Sequence, residues 1–336
     1  MSTIRDVAKQ AGVSTMTVSR VLNNSGYISP ETRERVERTI AELGYVRNTL
    51  ASSLRFKQTK TIALVLTDIT NPFFTTIARG VEDTASENNF HVIFCNTDES
   101  IEEEAEHLNT LLQRQVDGVL LVPARNSNEV VRFAQERKTP IVVLDRHLAD
   151  IQVDTVRCDS KQGAYQLVKH LIDLGHERIA VLSGPDGVST AMDRVAGYSQ
   201  ALQEASVNAD PKLVWFGEFI QASGYQMARQ ALALTPRPTA LFAANNFIAI
   251  GAYRALRDAS LRIPEDVSLV AFDDLPAPLV MEPFLTVAAQ PAYEMGQQGT
   301  ELLLARLAGE GPSEPQEIVL PTQLIIRRSS GPPPLE

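Results

Sequence analysis

The chain has 336 residues, of which 44% are hydrophobic and 21% are charged, a balance typical of a globular protein. This length exceeds what one hydrophobic core usually holds, so two or three domains are expected. No apolar run is long enough to cross a bilayer, and the first residues are polar, which argues against a membrane-spanning helix and a secretory signal. We therefore expect the protein to stay in the cytoplasm.

Charge is distributed unevenly along the chain, and the total of −10 hides this. Residues 1–60 hold ten Lys or Arg against five Asp or Glu, whereas the remaining residues hold 21 bases and 36 acids. A basic head on an acidic body indicates a polyanionic partner for the head alone.

Motifs for catalysis or metal binding are missing from the sequence. Cys95 and Cys158 lie in apolar strand-like runs with no CxxC pattern, which predicts buried reduced thiols. The five histidines are scattered, and no GxxxxGK[ST], GxGxxG or HExxH motif occurs. We expect no enzyme activity, no catalytic residue, no metal site and no cofactor.

The basic head, residues 1–46, is predicted to form an all-α domain of three short helices. Each helix begins at a residue that can cap its first turn, namely Thr3, Ser14 and Ser29. Gly12 and Gly44 follow the first and third helices and are expected to end them. Residues 47–60 have helix length but almost no apolar face, so we interpret them as a basic linker that folds only when something holds it.

The second helix carries hydroxyls and one arginine on its exposed side. A helix, a tight turn and a second helix of this kind form a helix-turn-helix, whose second helix enters the major groove of DNA. Arginine can bond guanine O6 and N7, threonine or methionine can meet a thymine methyl group, and serine or threonine can bond a phosphate. The alternative is a plain three-helix packing module. The predicted DNA contacts are Ser14, Thr15, Met16, Thr17, Arg20 and Asn23.

From residue 61 the chain alternates apolar runs with amphipathic helices. The runs are TIALVLTD, HVIFCNT, DGVLLVP, PIVVLD, RIAVLSG, LVWFGE, TALFAA and VSLVAFD. Continuous apolar strands between helices predict an α/β body with parallel sheets covered on both faces. Two doubly wound subdomains fit the repeat better than an eight-fold barrel, whose phosphate-site glycines are not evident. The proline-rich residues 329–336 are expected to form a disordered tail.

The segments TIRDVAKQAGVSTMTVSRVLNN, ISPETRERV and ELGY closely resemble the head of lactose/galactose-repressor-type (LacI/GalR) transcription regulators. The resemblance continues to about residue 328. It implies that Thr15, Met16 and Arg20 read bases. It also implies a hinge helix in which Leu54 wedges into the minor groove beside Ala51 and Arg55. The sequence departs from the family pattern in that Arg47 precedes the hinge asparagine and Ser52 follows the alanine, so hinge stability and minor-groove contacts differ here.

The resemblance also implies how the body is divided. Two subdomains of periplasmic-binding-protein type are expected, the first formed by residues 61–159 and 291–320 and the second by residues 160–290 and 321–328. Three crossovers then join them, and ligand-driven closure about these crossovers is a hinge motion.

Polar and aromatic residues recur where the predicted strands of the body end and the loops begin. Open α/β sheets bind ligands at this edge, the carboxyl ends of their parallel strands. Aromatic rings cover the C–H faces of a sugar ring, and carboxylate, amide and guanidinium groups bond its hydroxyls. Taken singly, each position could be an ordinary turn or a surface ion pair. The candidate ligand residues are Asn71, Phe73, Phe74, Asp145, Arg146, Arg194, Phe219, Asn245, Asp273 and Gln290.

These ten residues resemble the sugar shell of periplasmic ribose-binding proteins, which implies D-ribose as the effector. A related pentose, psicose, allose or another aldose is the alternative effector, because these sugars offer similar hydroxyls to the same residues. The rival interpretations are a transport binding protein, which the basic head argues against, and a regulator that responds to a nucleobase or acts with a corepressor. The family resemblance implies a homodimer on a pseudo-palindromic double-stranded DNA operator, with the sugar weakening operator binding.

Overall fold

The structure is a computed structural model that describes residues 2–46, 58–125, 127–275 and 282–334. The chain divides into two compact units, Met1–Thr59 and Lys60–Glu336. Among the described residues, no helix is both long and apolar enough to cross a membrane.

Within the first unit, the described residues of the head, 2–46, form three helices, α1 (Ile4–Ala11), α2 (Thr15–Leu22) and α3 (Pro30–Leu43). The predicted caps are confirmed, because the side chains of Thr3, Ser14 and Ser29 each accept a hydrogen bond from a first-turn backbone N–H. Gly12 and Gly44 end α1 and α3 in the left-handed conformation, which glycine adopts without steric cost. One valine from each helix is fully buried in a shared small core: Val7, Val18 and Val36.

The second unit, the body, has two lobes, each built on a six-stranded sheet. The strands of lobe 1 are β1 (Thr61–Leu66), β2 (His91–Asn96), β3 (Gly118–Leu121), β4 (Ile141–Leu144), β5 (Asp154–Cys158) and β11 (Glu317–Leu320). Its helices are α4 (Pro72–Glu87), α5 (Ile101–Gln113), α6 (Asn128–Glu136) and α11 (Ala292–Ala308). The strands lie in the order β11-β5-β4-β3-β1-β2, and all their pairings are parallel.

Lobe 2 repeats this design. Its strands are β6 (Ile179–Ser183), β7 (Val214–Phe216), β8 (Ala240–Ala243), β9 (Ser268–Phe272), β10 (Thr286–Ala289) and β12 (Gln323–Ile325). Its helices are α7 (Ser160–Asp173), α8 (Ser189–Glu204), α9 (Gln221–Leu232) and α10 (Asn246–Asp258), with a short 3₁₀ turn at Pro211–Leu213. The strand order is β12-β10-β9-β8-β6-β7.

Both sheets are buried on both faces, which explains their continuous apolar strands. In β1, Ile62 and Leu64 pack with α4 and α11 on one face, whereas Ala63 and Val65 pack with α5 and α6 on the other. Successive side chains of a strand point to opposite faces, so a doubly covered strand must be apolar at every position. The predicted doubly wound α/β architecture is confirmed.

One strand departs from the predicted parallel pattern. The chain crosses from β11 in lobe 1 to β12 in lobe 2 through only two residues, Pro321 and Thr322. β12 pairs with β10 in the antiparallel direction. The other strands run toward the edge where the crossovers lie, and β12 starts from that edge, so it runs the opposite way.

The tail prediction was wrong for residues 329–334. Ser329 is fully buried, and its hydroxyl accepts a hydrogen bond from Thr286 N–H at 2.8 Å and donates one to Leu269 O at 2.5 Å. Gly331 O accepts a hydrogen bond from the ring of the buried His176 at 2.9 Å. Proline richness removes backbone donors, but tertiary partners in lobe 2 satisfy the groups that remain.

Candidate functional site

A cavity of about 400 Å³ lies between the two lobes, at the ends of their parallel strands. Nine of the ten candidate ligand residues line it: Asn71, Phe73, Phe74, Asp145, Arg146, Arg194, Phe219, Asn245 and Asp273. The tenth, Gln290, lines a neighbouring cavity, and its side-chain amide donates a hydrogen bond to Asp273 at 2.5 Å. Gln290 is therefore placed to orient a carboxylate of the main cavity.

Asp145 and Asp273 occupy matching places in the two lobes. Asp145 follows β4 and Asp273 follows β9, which hold the same position in their sheets. Both residues have a left-handed backbone, with φ of 64° and 67°, which aspartate tolerates better than most residues. Each backbone N–H is bonded to the next strand, to Val156 O at 2.9 Å and to Ala288 O at 3.0 Å. Each lobe thus presents one carboxylate to the cavity from the same position in its sheet.

Burial strongly affects these two carboxyl groups. Loss of solvation raises the pKa of Asp145 to about 6, although the nearby Arg194 and Arg146 oppose this rise. Loss of solvation also raises the pKa of Asp273 above its ordinary value, against the effects of Arg194 and Gln290. Hydrogen-bond donors from a ligand would favour the ionised carboxylates of Asp145 and Asp273 and offset the cost of removing them from water.

The two buried arginines are held from opposite lobes. Arg194, on α8, donates from Nη1 to Ala244 O at 2.6 Å, and its guanidinium lies 3.9 Å from the centre of the Phe272 ring. Arg146 donates to both carboxylate oxygens of Glu99, at 2.7 and 2.5 Å, and to Pro123 O at 2.7 Å. Both arginines are therefore fixed before any ligand arrives.

The aromatic residues stand at two walls of the cavity. Phe73 and Phe74 open α4 and form an edge-to-face pair, with ring centres 5.1 Å apart and an interplanar angle of 65°. Asn71 caps the same helix by accepting the Phe73 N–H at 3.0 Å. Phe219 lies against Gly184, where an added Cβ would sit 2.1 Å from the ring. The missing side chain at position 184 is what leaves room for this ring.

Side-chain contacts join the lobes across the cavity. The side-chain amides of Asn71, from lobe 1, and Asn246, from lobe 2, bond to each other. At the more exposed mouth, Arg125 forms an ion pair with Glu218 at 3.1 Å.

Eight lining residues were not among the predicted ligand residues: Thr67, Asp68, Asp98, Glu99, Arg125, Thr190, Glu218 and Ile220. Some could have been found by applying the strand-end rule more widely, because Asp98 and Glu99 follow β2 and Arg125 follows β3. Asn246, which reaches across the cleft, had no sequence signal beyond its position next to Asn245.

The lining disfavours an anionic ligand and suits one with many hydroxyls. Six carboxylates and three guanidinium groups line the cavity, so acids outnumber bases. Four buried polar atoms of lining residues have no hydrogen-bond partner within the described parts of the chain, namely Thr67 Oγ1, Asp145 Oδ1, Arg146 Nε and Arg194 Nε. This set includes donors, an acceptor and a hydroxyl that can act as either, which is what a polyol requires.

The head presents a different kind of surface. Along α2, Met16 is 64% exposed, and Ser14, Thr15, Arg20 and Asn23 are also exposed. No ion pair within residues 2–46 involves Arg20, so its charge can meet an outside partner. Ser14 and Thr17 bond to each other at 3.0 Å while Ser14 caps the helix. The predicted hinge-helix contacts Ala51, Leu54 and Arg55 lie outside the described residues.

Comparisons with known proteins agree with this architecture. Residues 3–48 match the family model for bacterial regulatory proteins of the lacI family. Residues 59–328 match the model for periplasmic binding proteins and the sugar binding domain of the LacI family. The ribose operon repressor of Halalkalibacterium halodurans is 37% identical over 98% of this chain and 97% of its own length.

Two solved structures are also similar. The lac repressor dimer bound to operator and the anti-inducer ONPF has a TM-score of 0.86 and 28% identity, covering 98% of this chain and 99% of that one. A LacI family transcriptional regulator from Enterococcus faecium with bound ribose has a TM-score of 0.73 and 34% identity, covering 81% and 99%. The chain is a member of the LacI family of bacterial regulatory proteins, with the family's helix-turn-helix head and sugar binding domain.

Proposed function

We propose that the protein is a transcriptional repressor that binds operator DNA through its head and is released when D-ribose or a closely related sugar occupies the central cavity. The observation that carries the proposal is the cavity wall. Residues from many separate strand ends converge there with aromatic rings, an excess of carboxylates, and buried donors and acceptors that find no partner among the described residues. This combination suits an uncharged ring with several hydroxyls.

The proposed roles follow from side-chain chemistry. Asp145 and Asp273 accept hydrogen bonds from adjacent hydroxyls, while Arg146 and Arg194 donate to ring or hydroxyl oxygens. Phe73, Phe74 and Phe219 contact the C–H faces of the ring. Asn71 and Asn245 contribute amides, and Gln290 acts by orienting Asp273. D-ribose is the first candidate because a relative named ribose operon repressor is similar over the full chain and a similar regulator was solved with ribose.

In the head, Ser14, Thr15, Met16, Thr17, Arg20 and Asn23 are proposed to contact DNA. Ala51, Leu54 and Arg55 are proposed to reach the minor groove once the linker is ordered on the operator. A homodimer, as in the similar lac repressor bound to operator, would place two heads on a pseudo-palindromic site. A regulator of this kind acts where the DNA is, in the cytoplasm, and its action requires no catalytic step.

The coupling is proposed to be mechanical. The chain passes between the lobes three times, near residues 159–160, 290–291 and 321–322. A ligand that binds better to the closed cleft than to the open one shifts the equilibrium toward closure. Closure changes the spacing of the two heads of a dimer. Operator affinity then changes by the coupling free energy, typically about 1–3 kcal/mol.

A calorimetric screen of the full-length chain tests the ligand. D-ribose, D-allose, D-psicose, D-glucose and adenine would be titrated separately, and the proposal expects D-ribose or a close relative to bind most tightly. Binding of adenine but of no sugar would overturn it.

Operator titrations would test the direction of the response, using a duplex selected by this chain from a random pool. Weaker operator binding in saturating sugar is expected. Tighter binding would identify a corepressor mechanism instead.

A further inference from the structure

Arg146 is charged and lines the cavity, yet both terminal nitrogens of its guanidinium already donate hydrogen bonds within the protein. Nη1 donates to Glu99 Oε2 and to Pro123 O, both at 2.7 Å, and Nη2 donates to Glu99 Oε1 at 2.5 Å. The remaining Nε lies 3.9 Å from Asp145 Oδ2. A carboxylate therefore faces each side of the guanidinium that an anion would need for a two-point contact.

The turn after β2 holds Glu99 in this position. Asp98 and Glu99 are consecutive non-glycine residues with a left-handed backbone, with φ of 47° and 61°. Such a pair is costly and persists only where the surroundings stabilise it. Asn96 donates from its side-chain amide to Asp98 at 2.7 Å, and Ser100 N–H bonds Thr97 O at 2.8 Å. The turn is fixed on both sides, with the Glu99 carboxylate against the arginine.

The Glu99–Arg146 pair is largely removed from water. The Arg146 side chain is 3% exposed and the Glu99 side chain 23%. Burial alone would lower the pKa of Arg146, but the Glu99 carboxylate raises it above its ordinary value, so the guanidinium stays charged. A paired and buried arginine offers a ligand hydrogen-bond donors but little net positive charge.

The other two cavity arginines are also engaged. Arg125 pairs with Glu218 at the mouth. Arg194 bonds Ala244 O and is close enough to Asp145 and Asp273 to influence both carboxyl groups. Within the described residues, every positive charge that lines the cavity thus has a carboxylate beside it.

We propose that Glu99 is a specificity-determining residue that keeps the site selective for uncharged sugars, because it occupies Arg146 and so excludes phosphorylated and carboxylated forms of the same sugar. The inference rests on the proposed sugar-binding function. A regulator built in this way responds to a free sugar and not to the product of a kinase or of an oxidase acting on it. Without Glu99, Arg146 would offer an anion a buried two-point contact.

The test compares the full-length protein with its E99Q, E99A and E218Q variants. E218Q is the matched control, because it also removes one carboxylate from the cavity wall and also releases an arginine, but at the exposed mouth. Calorimetry would measure the affinity of each variant for D-ribose, D-ribonate and D-ribose 5-phosphate. Thermal melting would establish that each variant is folded.

We expect E99Q or E99A to bind D-ribonate or D-ribose 5-phosphate at least about 10-fold more tightly than the unmodified protein does. D-ribose affinity should change less, and E218Q should show no comparable gain for the anions. Adding Arg146→Ala to the Glu99 variant should remove the gain.

Equal gains in E218Q and the Glu99 variants would overturn the inference, as would no gain in either folded Glu99 variant. Failure of the unmodified protein to bind D-ribose or a related sugar would instead count against the proposed function. The comparison of the two anionic probes between variants still decides the role of Glu99 in that case.

Discussion

Asn71 and Asn246 exchange two hydrogen bonds across the cleft between the lobes. Asn246 Nδ2 donates to Asn71 Oδ1 at 2.9 Å, and Asn71 Nδ2 donates to Asn246 Oδ1 at 3.2 Å. The two residues are only 4% and 1% exposed, and each stands at the start of a helix from a different lobe. This amide pair joins the two lobes beside the candidate ligand site.

Removing one member of this pair should weaken sugar binding. Asn246→Ala leaves the Asn71 amide without its partner and lowers the stability of the closed form by about 1–2 kcal/mol. Sugar affinity should then fall about 5- to 30-fold, and small-angle scattering should show a larger radius of gyration without ligand. Asn88→Ala is the control, because the Asn88 side-chain amide donates to Thr84 O within lobe 1, at the end of α4. Unchanged affinity and scattering in Asn246→Ala would show that the pair does not control closure.

Sugar affinity should depend on pH through Asp145. Burial raises its pKa to about 6 in the free protein, and ligand hydroxyls that donate to the carboxylate would lower the pKa in the complex. Binding then releases a proton at low pH, so affinity should fall by up to about 10-fold per pH unit below 6 and stay level above it. Calorimetry over this range measures the profile. Asp145→Asn should bind more weakly with a flatter profile, and an equally steep profile in this variant would assign the titration to Asp273.

Glu104 should make the body less stable as pH rises. It is fully buried on α5, its carboxylate accepts the Ala124 N–H at 2.5 Å, and burial raises its pKa from 4.5 to about 7. Between these two values the folded chain keeps a proton that the unfolded chain releases, so stability falls with rising pH by up to about 3 kcal/mol.

Glu104→Gln cannot titrate, so its melting temperature should exceed that of the unmodified protein above pH 7. The difference should shrink as pH approaches 4.5. Glu103→Gln is the matched control, because Glu103 is an exposed neighbour on the same helix. Parallel melting curves for the unmodified protein and Glu104→Gln at all pH values would contradict the assignment.

The ordered tail should stabilise lobe 2. Deleting residues 329–336 removes the buried Ser329 and Gly331, together with their hydrogen bonds to β9, to β10 and to the segment just before β10. At a net value of about 0.5 kcal/mol for each of these five bonds, the melting temperature should drop by roughly 5–10 °C. Deleting only residues 335–336 should have no such effect. Equal melting temperatures for the two deletions would mean that the tail contributes nothing.

Arg20→Ala should weaken DNA binding and leave sugar binding intact. A bidentate contact between arginine and guanine contributes about 1–3 kcal/mol of discrimination, so affinity for the selected operator should fall while affinity for random duplex changes little. Fluorescence anisotropy with both duplexes measures this. Arg38→Ala, which removes the same charge from an exposed position on α3, is the control. A uniform loss for both duplexes in Arg20→Ala would make Arg20 a phosphate contact instead.

Much of the fold follows from local sequence signals. Capping serines and threonines, left-handed glycines and continuous apolar strands act over a few residues, so they can be identified without tertiary information. The strand-end positions of Asn71, Asp145 and Asp273 follow from the same patterns, since parallel strands end at one edge of a sheet. The sequence by itself therefore determined the helical head, the two covered sheets and most of the candidate ligand set.

Contacts between distant segments were decided only by the tertiary structure. Asn71 and Asn246 are 175 residues apart, and the Glu99–Arg146 pair depends on how the turn after β2 meets the end of β4. The order of the tail and the reversed direction of β12 likewise depend on partners in lobe 2. A local sequence pattern predicts which polar side chains a segment contains, but a buried polar group is stable only where folding brings it a partner. The tertiary structure therefore decides which of these side chains are already paired and which remain available to a ligand.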